Sequence, residues 1–146
     1  MKNAVRIILI SLFTVISVCS LAQAPASAVV ANDVWVKAPI PGRYMTAGFV
    51  TLQNPSQQDR QLVSVSAPWA GLIEIHTHLH EDGVMKMRQL MQLPIPAGET
   101  VTLSPGGLHL MIFKLNLPLA EPLPLTLCFD DGTCTNIDAN LRQKDF

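Results

Sequence analysis

Gly71-Leu72-Ile73-Glu74-Ile75-His76-Thr77-His78-Leu79-His80-Glu81-Asp82-Gly83-Val84-Met85-Lys86-Met87-Arg88-Gln89-Leu90-Met91 reads as two strands folded back at one tight turn. Asp-Gly between alternating segments is a strong short hairpin signal, because both residues tolerate the positive φ that a two-residue turn demands. Such a turn at Asp82-Gly83 pairs His80 with Met85, His78 with Met87 and His76 with Gln89. Alternate side chains of a strand share a face, so His76, His78 and His80 point one way and Ile75, Thr77 and Leu79 the other. One face of the hairpin is therefore imidazole and thioether.

Outward from this hairpin the same grammar continues. Runs rich in Val, Thr, Leu and Ile alternate with Gly, Pro, Asn and Asp clusters, and no amphipathic helix stands out, which predicts an all-β sandwich or barrel. The expected strands are Val34-Lys37, Thr46-Gln53, Arg60-Ser66, Gly71-His80, Val84-Met91, Glu99-Leu103, His109-Lys114, Leu125-Phe129 and Thr133-Ile137. Breaks are expected at Ala38-Gly42, Asn54-Ser56, Pro94-Gly98, Pro105-Gly107 and Leu117-Pro122. No repeat or linker divides the chain.

The N-terminus has the marks of an export leader: Lys2 and Arg6, then an uncharged stretch from Ile7 to Ala22 ending in small residues. Ala26-Ser27-Ala28 is the preferred cleavage site, with Ala24-Pro25-Ala26 in reserve, so residues 1–28 are assigned as a signal peptide and 29–146 as the mature domain. Lipidation at Cys19 is disfavoured because bulky Val18 precedes it. Without Lys2 and Arg6, eight basic side chains remain against eleven acidic ones, a net charge of −3. That balance argues against binding nucleic acid or anionic lipid, and no stable membrane insertion is expected once the leader is cut.

Cys128 and Cys134 then remain, an even count in an oxidising compartment, and they read as a disulfide. A three-residue loop, Asp130-Asp131-Gly132 with Gly132 left-handed, sets Cys128 opposite Cys134; a two-residue Asp131-Gly132 turn would set it opposite Thr135. A free redox dithiol or a copper thiolate pair is the competing reading.

All four histidines, and four of the five methionines beyond the leader, lie between residues 76 and 111. Taken singly, methionine is a common core filler and a strand histidine is ordinarily a surface residue. Convergence changes the weighting: the hairpin gathers imidazoles and thioethers on one face, and His109-Leu110-Met111 adds another pair from a third segment. Thioethers are soft neutral donors that select Cu(I), imidazole suits copper in either oxidation state, and hard cations want oxygen. Zinc is disfavoured, since its structural sites use thiolate and imidazole.

At this point the sequence resembles the periplasmic copper chaperones known as PCuAC proteins, whose signature is H-x10-M-x21-H-x-M. His76, Met87, His109 and Met111 match it without a gap. Glu81 to Arg88, Pro94 to Gly98, Pro105 to Met111, and Ala38 to Gly42 followed by Met45 to Phe49 also look like the family. The resemblance covers Val34 to Ile137. It implies a cupredoxin-like Greek-key barrel or sandwich binding one Cu(I) through His76, Met87, His109 and Met111. It also implies a periplasmic metallochaperone delivering copper for assembly of the copper A centre, to cytochrome c oxidase subunit II or another copper-assembly factor. His78, His80, Met85 and Met45 fall outside the signature and stand as auxiliary candidates.

Other readings are weaker. Blue-copper electron transfer needs a cysteine beside two histidines, and neither Cys128 nor Cys134 has a histidine nearby in sequence. Copper sequestration without a delivery partner uses the same ligands, and a purely structural or adhesive β-sandwich uses none. No nucleophile elbow, phosphate-cradling loop or H-E-x-x-H supports an enzyme. Glu74, Glu81 and Asp82 read as solvated strand-edge charges, and Trp35, Trp69 and Tyr44 as packing residues.

Overall fold

In the computed structural model, which describes residues 28–143, ten strands account for the regular structure. The assigned leader lies outside the described residues except for Ala28. The strands are β1 (Val30–Lys37), β2 (Met45–Gln53), β3 (Arg60–Ser66), β4 (Ala70–Glu81) and β5 (Val84–Leu90), then β6 (Leu93–Ile95), β7 (Thr100–Thr102), β8 (His109–Leu115), β9 (Leu123–Phe129) and β10 (Cys134–Arg142). Among the described residues no helix is long and apolar enough to cross a membrane.

The hydrogen-bonded path runs β5-β4-β8-β2-β1-β10-β9-β3-β6, with β7 beside the far half of β2. It bends into two layers at β10. Cys134 to Ala139 pair antiparallel with β9, whereas Asn140 to Arg142 pair parallel with Trp35 to Lys37 of β1. The layers face each other through inward alternation: Val36, Val50, Leu52, Leu110 and Ile112 from one side meet Leu62, Leu125, Leu127 and Phe129 from the other. This is the expected all-β architecture.

Strand boundaries depart from expectation in three places. β1 begins at Val30 rather than the expected Val34, because Asp33 takes a positive φ of 48° in a bulge between Asn32 and Trp35 that keeps the strand paired through Asn32 and Asp33. β6 lies in the proline-rich segment expected to be a turn. It is an edge strand, where proline's missing donor is tolerated, and Leu93 and Ile95 are buried on either side of exposed Pro94. β10 extends to Arg142, which closes the layers.

Two local devices fix the frame. Asn54 is fully buried; its amide donates to the carbonyls of Gln58 (2.8 Å) and Ile95 (2.9 Å), and its Oδ1 accepts from the Ser56 amide and hydroxyl. The β2–β3 loop is thereby tied to β6. At the other hairpin, Gly132 has φ 82°, the Phe129 amide donates to Thr133, Cys134 lies opposite Cys128, and the two sulfurs form a disulfide. The three-residue loop is the register that forms.

Candidate metal site

The β4–β5 hairpin closes as the sequence predicts. Asp82 and Gly83 take φ 53° and 75°, and the ladder pairs His80 with Met85, His78 with Met87 and His76 with Gln89. On its other edge β4 pairs antiparallel with β8, setting His76 directly opposite His109 and Glu74 opposite Met111. β8 buries Leu110 and Ile112 in the core, so His109, Met111 and Phe113 share the opposite face with His76 and His78. β2 adds Ala47 opposite Met111; its small side chain leaves space over that thioether.

The result is a cavity of about 500 Å³ on the outer face of the β5-β4-β8-β2-β1 layer, with His78, Met87, His109 and Met111 among its lining. His76 sits beside it without lining it. The imidazole centroid of His109 is 5.8 Å from that of His76 and 5.1 Å from that of His78. His109 is buried, Met111 half-buried and Met87 47% exposed, so the donors run from the interior to solvent. Met85 and His80 are exposed nearer the hairpin turn, and Met45 stands on β2 opposite Phe113, outside this cavity.

Hydrogen bonding sets which nitrogens are free. His109 Nδ1 donates to the Gly107 carbonyl at 2.9 Å, leaving the Nε2 lone pair available. His76 Nε2 donates to Glu74 Oε2 at 2.8 Å, leaving Nδ1 buried and without a partner; His78 Nδ1 is likewise buried and unpartnered. An unmet buried polar atom costs about 1–3 kcal/mol, so two on one face mark a place built for something other than packing. Burial pushes the His109 pKa below the ordinary histidine value, opposed by the Gly107 hydrogen bond and helped by the neighbouring His78 and His76. Burial thus favours the neutral ring, the form a metal needs.

The donor set suits a soft ion. Among the described residues no three His, Cys, Asp or Glu side chains converge as a metal site, and the cavity sets thioethers beside imidazoles, donors of the kind that suit copper. Glu74 and the Gly107 carbonyl are the kind of outer partners that fix a ligating histidine's tautomer and orientation. Glu74 is thus a corrected assignment. Its carboxylate is half-buried and accepts a hydrogen bond from His76.

Three contributors were not legible as site residues. Trp35 packs on Phe49 with centroids 4.2 Å apart, Arg142 lies 5.1 Å over the indole, and both line the cavity with Lys37. The antiparallel β1–β2 pairing sets Trp35 opposite Phe49 and so brings β1 to the cavity, and the parallel β1–β10 pairing adds Arg142 beyond it. Trp69 packs against the core and donates its indole N–H to the Pro124 carbonyl at 2.9 Å, as a packing residue should. Tyr44, also expected to pack, is instead 65% exposed. The disulfide sits between β9 and β10 in the other layer and contributes no sulfur to the cavity.

Comparison with known proteins places this geometry in a family. The model described as "Putative lipoprotein LpqE-like" matches residues 29–141. The chain belongs to the LpqE-like family. A relative from Leifsonia xyli subsp. xyli (strain CTCB07), named "Putative lipoprotein Lxx21020", is 32% identical over 131 residues, covering 86% of this chain and 76% of that protein. Among solved structures, that of CuI-DR1885 from Deinococcus radiodurans is 32% identical at TM-score 0.63, covering 85% of this LpqE-like chain and 83% of that one. The copper-bound PCuAC domain from PmoF2 shares the fold at TM-score 0.67 and 17% identity, over 83% of this chain and 97% of its own. The resemblance to PCuAC proteins and the cupredoxin-like sandwich it implies both hold.

Proposed function

We propose that this LpqE-like protein is an exported Cu(I) carrier. Its ion is held by His76, Met87, His109 and Met111, and its cargo is handed to a copper-assembly partner. The observation that carries the reading is the cavity face itself. It combines two thioethers with imidazoles whose unprotonated nitrogens are buried or oriented by a second partner, and it grades from buried His109 to exposed Met87. The Cu(I) of CuI-DR1885 from Deinococcus radiodurans, a protein 32% identical to this chain, supports the same choice of ion.

The chemistry fits a carrier better than a resident cofactor site. Neutral thioethers hold Cu(I) without the thiolates that an oxidising compartment consumes, and an exposed sulfur is a natural point of ligand exchange with a docked acceptor. The recipient we propose is the copper A centre of cytochrome c oxidase subunit II, or another factor in its assembly. The location we propose is the periplasm, reached through a leader over residues 1–28, with residues 29–146 as the mature copper-binding domain. The family description and the Leifsonia relative's name, both lipoproteins, support export.

The test is transfer. Mature protein loaded with one equivalent of Cu(I) is mixed with the copper-free soluble domain of an oxidase subunit II, and the absorption of the assembled copper A centre is followed under reducing and then oxidising conditions. Net transfer supports delivery. Retention of the ion, together with loss of copper tolerance but intact oxidase activity on gene deletion, would favour the sequestration reading instead.

A further inference from the structure

His78 lies outside the four-residue signature, yet its surroundings differ from those of a surface histidine. It stands directly opposite Met87, it lines the cavity that also holds His109 and Met111, and its Nδ1 is buried with no partner. His80, two residues on along the same face, is exposed.

Separation between rings adds a geometric constraint. With a metal–nitrogen bond of about 2 Å, two imidazoles on one ion have centroids at most about 6 Å apart, and about 5 Å apart at a tetrahedral angle. His76 and His109, at 5.8 Å, fall near the upper limit; His78 and His109, at 5.1 Å, match the tetrahedral value. His76 is also tied by its Nε2 to Glu74, whereas no hydrogen bond constrains the His78 ring.

We infer that His78 is a further copper ligand of this pocket, interchangeable with His76. This rests on the Cu(I) reading above. The face then offers five donors, His76, His78, Met87, His109 and Met111, to a closed-shell ion that takes four. One imidazole is always spare. The spare ring gives the bound ion a path for stepwise exchange, since a new nitrogen can bind before an old ligand leaves, and no change of oxidation state is involved.

The experiment uses the mature protein with His76→Thr, His78→Thr and the double substitution, Thr being compatible with a strand. Far-ultraviolet circular dichroism checks that each variant is folded. Cu(I) affinity is measured by competition with a chromogenic chelator, and X-ray absorption counts nitrogen and sulfur neighbours. Each single variant is expected to keep two nitrogens and two sulfurs and to lose less than about tenfold in affinity. The double variant is expected to drop to one nitrogen and to lose more than the product of the single losses, the mark of two residues sharing one role. If His76→Thr alone falls to one nitrogen, or if the single losses simply multiply, His78 is not a ligand. Absence of sulfur neighbours in the unsubstituted protein would overturn the Cu(I) reading itself, a result readily told apart from the other two.

Discussion

Replacing both Cys128 and Cys134 by Ser separates what holds the fold from what holds the ion. The two cysteines are six residues apart in sequence. For a loop this short, the chain-entropy relation gives about 2 kcal/mol of stabilisation through restriction of the unfolded chain. The side chains replaced are half-buried and exposed, and the β9–β10 ladder persists around them, so serine hydroxyls add little desolvation cost. For a domain of this size, about 2 kcal/mol corresponds to a fall in Tm of about 8 °C. The sulfurs belong to the layer opposite the cavity, and the cavity's lining rests on β1, β2, β4, β5, β8 and the far end of β10. Thermal unfolding followed by circular dichroism, in parallel with chelator competition for Cu(I), should therefore show a lowered Tm at unchanged copper affinity. A loss of more than tenfold in affinity, with the protein still folded at the assay temperature, would refute the assignment of these sulfurs to structure alone.

Met87→Leu and Met111→Leu conserve side-chain volume, so each should cost less than about 1.5 kcal/mol of stability. Each removes a proposed donor, and Cu(I) affinity should fall by at least the roughly 10–100-fold seen when an outer-shell partner is lost; equal affinity in chelator competition would remove that residue from the ligand set. His109 should titrate by NMR below the ordinary histidine value of about 6.5 in the metal-free protein, since burial disfavours its charged form. Its folded pKa is the lower one, so the unfolded chain binds the extra proton. The stability it contributes is complete above about pH 6.5 and is lost as pH falls through the folded value, and His109→Asn should flatten that acid limb of the denaturation profile. Asn54→Ala removes the acceptor of the Ser56 amide and the side-chain donor shared by the Gln58 and Ile95 carbonyls. It should lower stability by about 1–3 kcal/mol in urea unfolding while leaving Cu(I) affinity unchanged.

The parts of this molecule that local chemistry controls were legible without coordinates. Asp82-Gly83 set the hairpin register because only residues tolerant of positive φ fit a two-residue turn, and that register put Met87 opposite His78. At the β9–β10 turn Gly132 serves either of two loops, so the sequence left both registers open, and the three-residue loop that sets Cys128 opposite Cys134 is the one that forms. The missed strands have local causes as well. Pro94 conceals an edge strand whose register needs no donor at that residue, and Asp33 conceals a bulge inside β1. The depth of the site was hidden for a different reason. Trp35 and Lys37 reach the cavity through the β1–β2 pairing and Arg142 through a parallel pairing between strands at opposite ends of the domain, and no periodicity records such contacts. Glu74 lay between these cases. Strand alternation placed it on the histidine face, but its hydrogen bond to His76 depends on side-chain rotamers that spacing does not specify.

X-ray absorption on the Cu(I)-loaded, unsubstituted mature domain tests the central claim most directly. The account predicts two nitrogen neighbours at imidazole distance and two sulfur neighbours, unchanged in the Cys128→Ser/Cys134→Ser variant. A shell made of nitrogen and oxygen without sulfur, or a sulfur signal that disappears with the cysteines, would contradict it.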